Sequence, residues 1–276
     1  MQRTGAINTS RHRQLTDYFT SMTSCAVAFS GGLDSTVIAT VAHDVLKDNM
    51  MAVTLNTPYM PQWEVEEAIR YCRQNAIPHH VVTLPILDSI VDNPPDRCYL
   101  CKKALFSTIL ELAQTHNISS VIDGTNHDDL KDYRPGMKAL KELGIKSPFL
   151  DLGIAKQDIK TMAKDMGIGN WNKMPCACLL SRLPHGVKIE EADLRRIEKA
   201  EEFLINLGFD GCRVRTHGDL ARIEMRREKR AKFLHAELLD AVADELKKYG
   251  YKYVAFDLEG YRCGSMNERE RSGKNN

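Results

Sequence analysis

The stretch Cys25–Ile38, CAVAFSGGLDSTVI, does most to restrict the fold. An apolar run enters a Ser-Gly-Gly turn and leaves almost at once into a second apolar run. A strand that is apolar on both sides has to be covered on both sides, which is the situation of a parallel sheet between layers of helix. The following residues repeat the pattern. Ala26–Ser30 reads as a strand, Ser35–Leu46 as a helix, Met51–Asn56 as a strand, Trp63–Asn75 as a helix and His80–Leu84 as a strand. Leu100–His116, with Leu105, Ile109 and Leu112 on one side, reads as a helix, and Ser120–Asp123 as a strand. This alternation predicts an α/β fold, a parallel doubly wound sheet whose ligands sit at the carboxyl ends of the strands. Pro135–Leu143 and Lys156–Met166 read as surface helices.

The polar, Gly- and Pro-punctuated segment GIGNWNKMPCACLLSRLPHG marks a domain junction. Beyond it, Glu190–Leu207 is amphipathic, CRVRTH and ARIEM flank a Gly-Asp turn, Arg230–Lys248 reads as one helix and Tyr251–Asp257 as a strand. The expected division is residues 1–172 as the nucleotide domain, 173–268 as a smaller α+β domain, and 269–276 as a disordered tail.

Backbone amides at a helix start are unpaired and partly positive, and glycines let phosphate oxygens approach them. Ser30, Gly31, Gly32 and Ser35 therefore form a candidate phosphate nest. The lysine of a Walker sequence is absent from this turn. Asp34 would repel a bare phosphate, but it suits a Mg²⁺ ion shared with phosphate oxygens. The plainer reading is a glycine turn with an aspartate favouring a helix N-terminus.

The string SGGLDS resembles the signature of the PP-loop ATP pyrophosphatases, which cleave ATP between its α- and β-phosphates. DGTNHDD (Asp123–Asp129) is similar to a second loop of that superfamily and implies a nucleotide and metal role for Gly124, Thr125, Asn126 and Asp129. The segments RCYLCKKALF, DYRPGMKAL, PCACLLSRLPHG, CRVRTHGDLARIEM and DLEGYRCGSMNE resemble the LarE family, from about Phe19 to Glu268. That resemblance implies an ATP-dependent sulfur transferase in nickel-pincer nucleotide biosynthesis. Its substrate would be pyridinium-3,5-biscarboxylate mononucleotide, adenylated on a carboxylate and converted to a thiocarboxylate. It also implies a homo-oligomer.

Adenylation makes AMP a leaving group, and a thiolate sulfur attacks well at neutral pH. Some family members sacrifice one cysteine sulfur; others hold a [4Fe-4S] cluster that presents sulfide. Cys176, Cys178 and Cys212 are the expected cluster ligands, with sulfide or a cysteine-derived sulfur as donor. Sacrifice of Cys176 is the alternative. A zinc site joining Cys98 and Cys101 to Cys176 and Cys178, or a redox dithiol, is a further one. Cys25, Cys72 and Cys263 read as small buried residues.

Arg213 and Arg215 alternate along one strand and share a face suited to a nucleotide monophosphate; the resemblance implies the same pair. Arg182 is a candidate to steady the adenylate or the carboxylate. Glu202 and Glu224 are candidates to bind metal near the sulfur site, but read first as solvated glutamates.

With a net charge of +1, nothing pulls the whole chain to nucleic acid or membrane. The chain has no apolar stretch of spanning length or signal core, so it reads as cytoplasmic. A tRNA-thiolating PP-loop enzyme is the runner-up; it calls for a basic surface that the balanced charge does not supply. A non-catalytic carrier and an amide-forming synthetase of the same fold rank lower.

Overall fold

The structure is a computed structural model, and it describes residues 10–131, 135–169 and 177–262. Cys176, Cys263 and the expected tail lie outside the described residues. Contacts group the described chain into two units: 10–89 with 96–169, and 90–95 with 177–262.

In the first unit, α1 (Ser10–Thr20) precedes β1 (Cys25–Ala28), α2 (Leu33–Leu46), β2 (Met50–Asn56), α3 (Gln62–Gln74) and β3 (His79–Thr83). There follow α4 (Arg97–Thr115), β4 (Val121–Ile122), α5 (Gly136–Glu142), α6 (Pro148–Asp151) and α7 (Lys156–Asp165). The sheet order is β3-β2-β1-β4, parallel throughout, as the strand–helix alternation predicts. Cys25, Val27 and Phe29 pack with Leu15, Val37, Ile38 and Met162 of α1, α2 and α7. Ala26, on the opposite face, packs with Phe106, Ile109 and Leu140 of α4 and α5. Burying one Val or Leu side chain contributes about 1.5–3 kcal/mol, and β1 collects that contribution from both layers. Helix α1 was not anticipated. Its signal was Leu15 and Phe19, four residues apart and both fully buried.

The chain runs outward from β1 to β3 and then returns to the other side of β1 as β4. The loops after β1 and β4 consequently open side by side at the carboxyl edge, the switch point of such a sheet. No helix among the described residues is long and apolar enough to cross a membrane.

In the second unit, α8 (Glu191–Asn206), β5 (Arg213–His217), β6 (Leu220–Glu224), α9 (Arg227–Phe233), α10 (Ala236–Lys248) and β7 (Tyr253–Phe256) follow in order. β5 and β6 are antiparallel around Gly218-Asp219, and β7 lies parallel to β6. The single helix expected over Arg230–Lys248 is two, broken at Leu234-His235. Phe233, Val242 and Leu246 are all buried in one apolar cluster. On an uninterrupted helix of 3.6 residues per turn, Phe233 and Val242 would face opposite ways; the break lets both point inward.

Residues 90–95 belong to this second unit although they lie between β3 and α4. The amides of Gly186 and Ile189 donate to the carbonyls of Asn93 (2.9 Å) and Val91 (2.7 Å), and the side-chain amide of Asn93 donates to Pro184 O (2.7 Å).

Candidate active site

The turn Phe29–Gly32 is fixed from beneath. Phe29 N–H donates to Val53 O (2.8 Å), Thr54 Oγ1 donates to Phe29 O (2.8 Å), and His79 Nε2 lies 2.8 Å from Thr54 Oγ1. Gly31 has φ +70°, and a Cβ there would lie 3.2 Å from Ala68 Cβ and 3.3 Å from Glu64 O. Only glycine meets both conditions without strain. Gly32 is the N-cap of α2, with extended backbone and no side-chain cap. The first amides of α2 thus keep their donor capacity and partial positive charge for a ligand. Ser35 Oγ donates to Gly32 O (3.1 Å) and lies 3.2 Å from Ser30 Oγ, so both hydroxyls sit within the turn.

The second loop presses against the first. A Cβ on Gly124 would be 3.2 Å from Ser35 N and 3.3 Å from Asp34 Cβ, so glycine allows this approach. Asn126 Nδ2 donates to Asp34 Oδ2 (3.1 Å), and Asn126 N–H donates to Asp129 Oδ2 (3.0 Å). Thr125 and Ser147 donate to the buried carboxylate of Asp123, and Lys102 Nζ stands 3.7 Å from it.

Both loops line a cavity of about 430 Å³, inside the range of about 300–1,000 Å³ usual for small-molecule sites. Its polar lining includes Ser30, Gly32, Asp34, Ser35, Gly124, Thr125 and Asp129, and its apolar lining Val53, Leu55, Val65, Leu105 and Phe106. The polar groups suit a polyphosphate and the apolar ones an aromatic base. Gly31 and Asn126 do not line it but shape the residues that do.

Sequence reasoning missed Lys156, the first residue of α7. Its ammonium is ion-paired with Asp34 Oδ1. Its backbone N–H donates to Asp128 Oδ2 (2.9 Å), which fixes the start of α7 to the second loop. Asp34 and Asp129 supply carboxylates for the expected Mg²⁺, and the Lys156 ammonium stands on Asp34 where such a cation would stand. The donor set fits a hard divalent ion shared with phosphate oxygens.

In the second unit Arg182 is fully buried, with 0 % exposure. Its Nε and Nη2 donate to the two carboxylate oxygens of Glu201 at 2.8 and 2.6 Å. Its Nη1 donates to Ala177 O (2.7 Å), Cys178 O (3.0 Å) and Ser181 Oγ (2.8 Å). The guanidinium expected beside the adenylate ties the cysteine-bearing turn to α8. Glu201 also accepts the amide of Val214 at the edge of β5 (2.9 Å). Of the glutamates read as solvated, Glu202 is exposed. Glu224 is not: it is 0 % exposed and holds Arg215 (2.7 Å) and Arg222 (3.0 Å).

Arg213 and Arg215 share a face of β5 and are both buried. Arg213 donates to Cys212 O (2.7 Å) and stacks 5.3 Å from the Tyr261 ring; Arg215 donates to Ser181 O (2.7 Å). His217, at the end of the same strand, has its imidazole pKa lowered by burial and then by Arg222 and Arg215. The Glu224 carboxylate, which pairs with both arginines, acts on it in the opposite direction.

The cysteines divide by environment. Cys25 and Cys72 are core residues whose thiols burial pushes up to about 12. Cys212 is 1 % exposed within the apolar cluster of the second unit, and burial, then the Glu201 carboxylate, pushes its thiol up. Cys98 is exposed, and Cys101 and Cys178 are half-buried. Among the described residues no group of three or more His, Cys, Asp or Glu is arranged around a metal position. Of the three expected cluster ligands, Cys178 is half-buried, Cys212 is buried in the apolar cluster, and Cys176 lies outside the described residues. Iodoacetamide at neutral pH is expected to label Cys98 and Cys178 well before Cys25, Cys72 and Cys212. Peptide mass spectrometry checks this, and equal rates at Cys212 and Cys98 would refute the buried assignment.

The family model for NAD synthase matches residues 10–97, which span α1 to the first residue of α4. An uncharacterized protein of Synechocystis sp., slr1717, is 37% identical over 260 residues, covering 94% of this chain and 97% of its own length. The pyridinium-3,5-bisthiocarboxylic acid mononucleotide synthase of Lactiplantibacillus plantarum is 36% identical over 245 residues, 88% of either chain. The uncharacterized protein MJ0830 of Methanocaldococcus jannaschii is 35% identical over 236 residues, covering 86% of this chain and 90% of its own.

Proposed function

Because this chain belongs to the family of the Lactiplantibacillus plantarum pyridinium-3,5-bisthiocarboxylic acid mononucleotide synthase, the LarE family, we propose that it is an ATP-dependent sulfur transferase. Its substrate in this reading is pyridinium-3,5-biscarboxylate mononucleotide. The observation that carries the proposal is the cavity in which an uncapped helix start, the Gly31 turn and Asp34 meet the Asp123–Asp129 loop.

The chemistry follows from what each group can do. The first-turn amides of α2 and the hydroxyls of Ser30 and Ser35 bind the polyphosphate. Asp34 and Asp129 would hold Mg²⁺, which when bound neutralises charge on the β- and γ-phosphates. A substrate carboxylate oxygen attacks the α-phosphorus, the bond to the bridging oxygen breaks, and pyrophosphate leaves. A sulfur then attacks the acyl carbon and AMP departs with the oxygen it shares with that carbon. Arg213 and Arg215 are the proposed anchors for the substrate phosphate, supported by their common face on β5.

The Cys176–Cys178 segment supplies the sulfur, with Cys178 held in place by Arg182. After acyl transfer to a cysteine sulfur, loss of the Cα proton and cleavage of the Cβ–S bond release the thiocarboxylate and leave dehydroalanine. A [4Fe-4S] cluster held by Cys176, Cys178 and Cys212 is the other source of sulfur, and would present sulfide to the acyl adenylate.

The test is anaerobic protein incubated with Mg·ATP and the biscarboxylate mononucleotide. One AMP and one pyrophosphate per sulfur transferred are expected, with one cysteine of the protein converted to dehydroalanine by intact mass. No nucleotide cleavage would reject the adenylating function. Many turnovers with added sulfide, from a protein containing iron, would reject the sacrificial source.

A further inference from the structure

We propose that Lys156 is a resident substitute for magnesium on Asp34. In the nucleotide-free protein it keeps the metal position closed to free divalent ions, and it moves onto the polyphosphate when Mg·ATP binds. The inference rests on the reading of the cavity as a Mg·ATP site.

The geometry gives this exchange a mechanism. Asp34 lies in the first turn of α2 and uses one oxygen for Asn126 (3.1 Å) and the other for the Lys156 ammonium. Asn126 is a neutral donor, so Lys156 provides the charge compensation. The backbone of Lys156 cannot drift away. Its N–H is tied to Asp128 (2.9 Å), Ala155 N–H to Asp158 Oδ2 (3.1 Å), and His127 N–H to Ile154 O (3.0 Å). Only the flexible side chain is left to move, and both Lys156 and Asp34 line the cavity. The pair is partly open to water, with side-chain exposures of 33% and 21%. Breaking such a pair is inexpensive, since ion pairs near solvent contribute little. A lysine ammonium is also a mobile point charge, able to follow a phosphate in a way that a guanidinium fork is not.

The exchange conserves charge locally. A divalent ion arriving alone would have to displace the ammonium into water and gain nothing for it. The same ion arriving with ATP brings phosphate oxygens that receive the displaced ammonium. Lys156 thus favours loading of metal and nucleotide together.

The experiment measures Mn²⁺ binding to nucleotide-free protein by electron paramagnetic resonance, in parallel with Mg·ATP binding by calorimetry. Lys156→Met is expected to tighten Mn²⁺ alone by about two- to fivefold and to weaken Mg·ATP by a similar factor. These opposite signs are not produced by general disruption of the fold. Lys156→Arg, which keeps the charge, should retain the weak Mn²⁺ binding of the parent, and adding Asp34→Asn to Lys156→Met should remove the gain. Unchanged or weaker Mn²⁺ affinity in a folded Lys156→Met protein overturns the proposal while Mg·ATP binding to the parent stands. Should the parent fail to bind Mg·ATP, the underlying site reading falls, and this one with it.

Discussion

Asp34→Ala should abolish pyrophosphate release from ATP, lowering the rate by at least about a hundredfold, while the protein remains folded. In the proposed reading, this carboxylate lets a magnesium-bound polyphosphate sit against the start of α2. Its loss touches no core contact. Asp34 is partly exposed and its partners are Asn126 and Lys156, so stability should change by no more than about 1 kcal/mol. Release of pyrophosphate, followed by a coupled phosphate assay, reads the first effect, and thermal unfolding reads the second. Pyrophosphate release at the parental rate would remove the metal role from Asp34 and with it the interpretation of the cavity.

The second large effect lies in the other unit. Glu201→Ala leaves the Arg182 guanidinium buried with no carboxylate, and also strips the acceptor from Val214 N–H. Removing one partner of a buried ion pair typically destabilises by about 3–5 kcal/mol. Calorimetry should show a lower Tm for the transition of the second unit, and sulfur transfer should fall because the Cys178 turn loses its clamp. Replacing both partners, Arg182→Met with Glu201→Leu, should recover part of the stability without recovering sulfur transfer. A Glu201→Ala protein as stable as the parent would mean that the clamp contributes nothing.

The two loops at the carboxyl edge were legible because their turns are written in backbone geometry. A positive φ at Gly31 and the contact at Gly124 admit one residue type, so glycine marks them in the sequence. The parallel sheet was legible for a related reason: β1 is apolar on both faces. Lys156 was not legible. It opens a polar, amphipathic helix, where a lysine ordinarily points to water, and its partner Asp34 is 122 positions away. Glu224 was misread, and Glu201 passed over, for the same physical cause. A charged residue becomes buried only when its counter-charge is folded beside it, and nothing in the run EKAEEF distinguishes Glu201, which meets Arg182, from Glu202, which stays in water.

The hexapeptide 90–95 carries a consequence for the history and handling of the chain. Because the second unit takes one of its pieces from between β3 and α4, it does not correspond to any contiguous stretch of gene. A fragment beginning near residue 177 would expose the carbonyl of Pro184 and the amides of Gly186 and Ile189 that Asn93 and Val91 now satisfy. The two units are therefore bound to be inherited, expressed and exchanged between relatives as one piece.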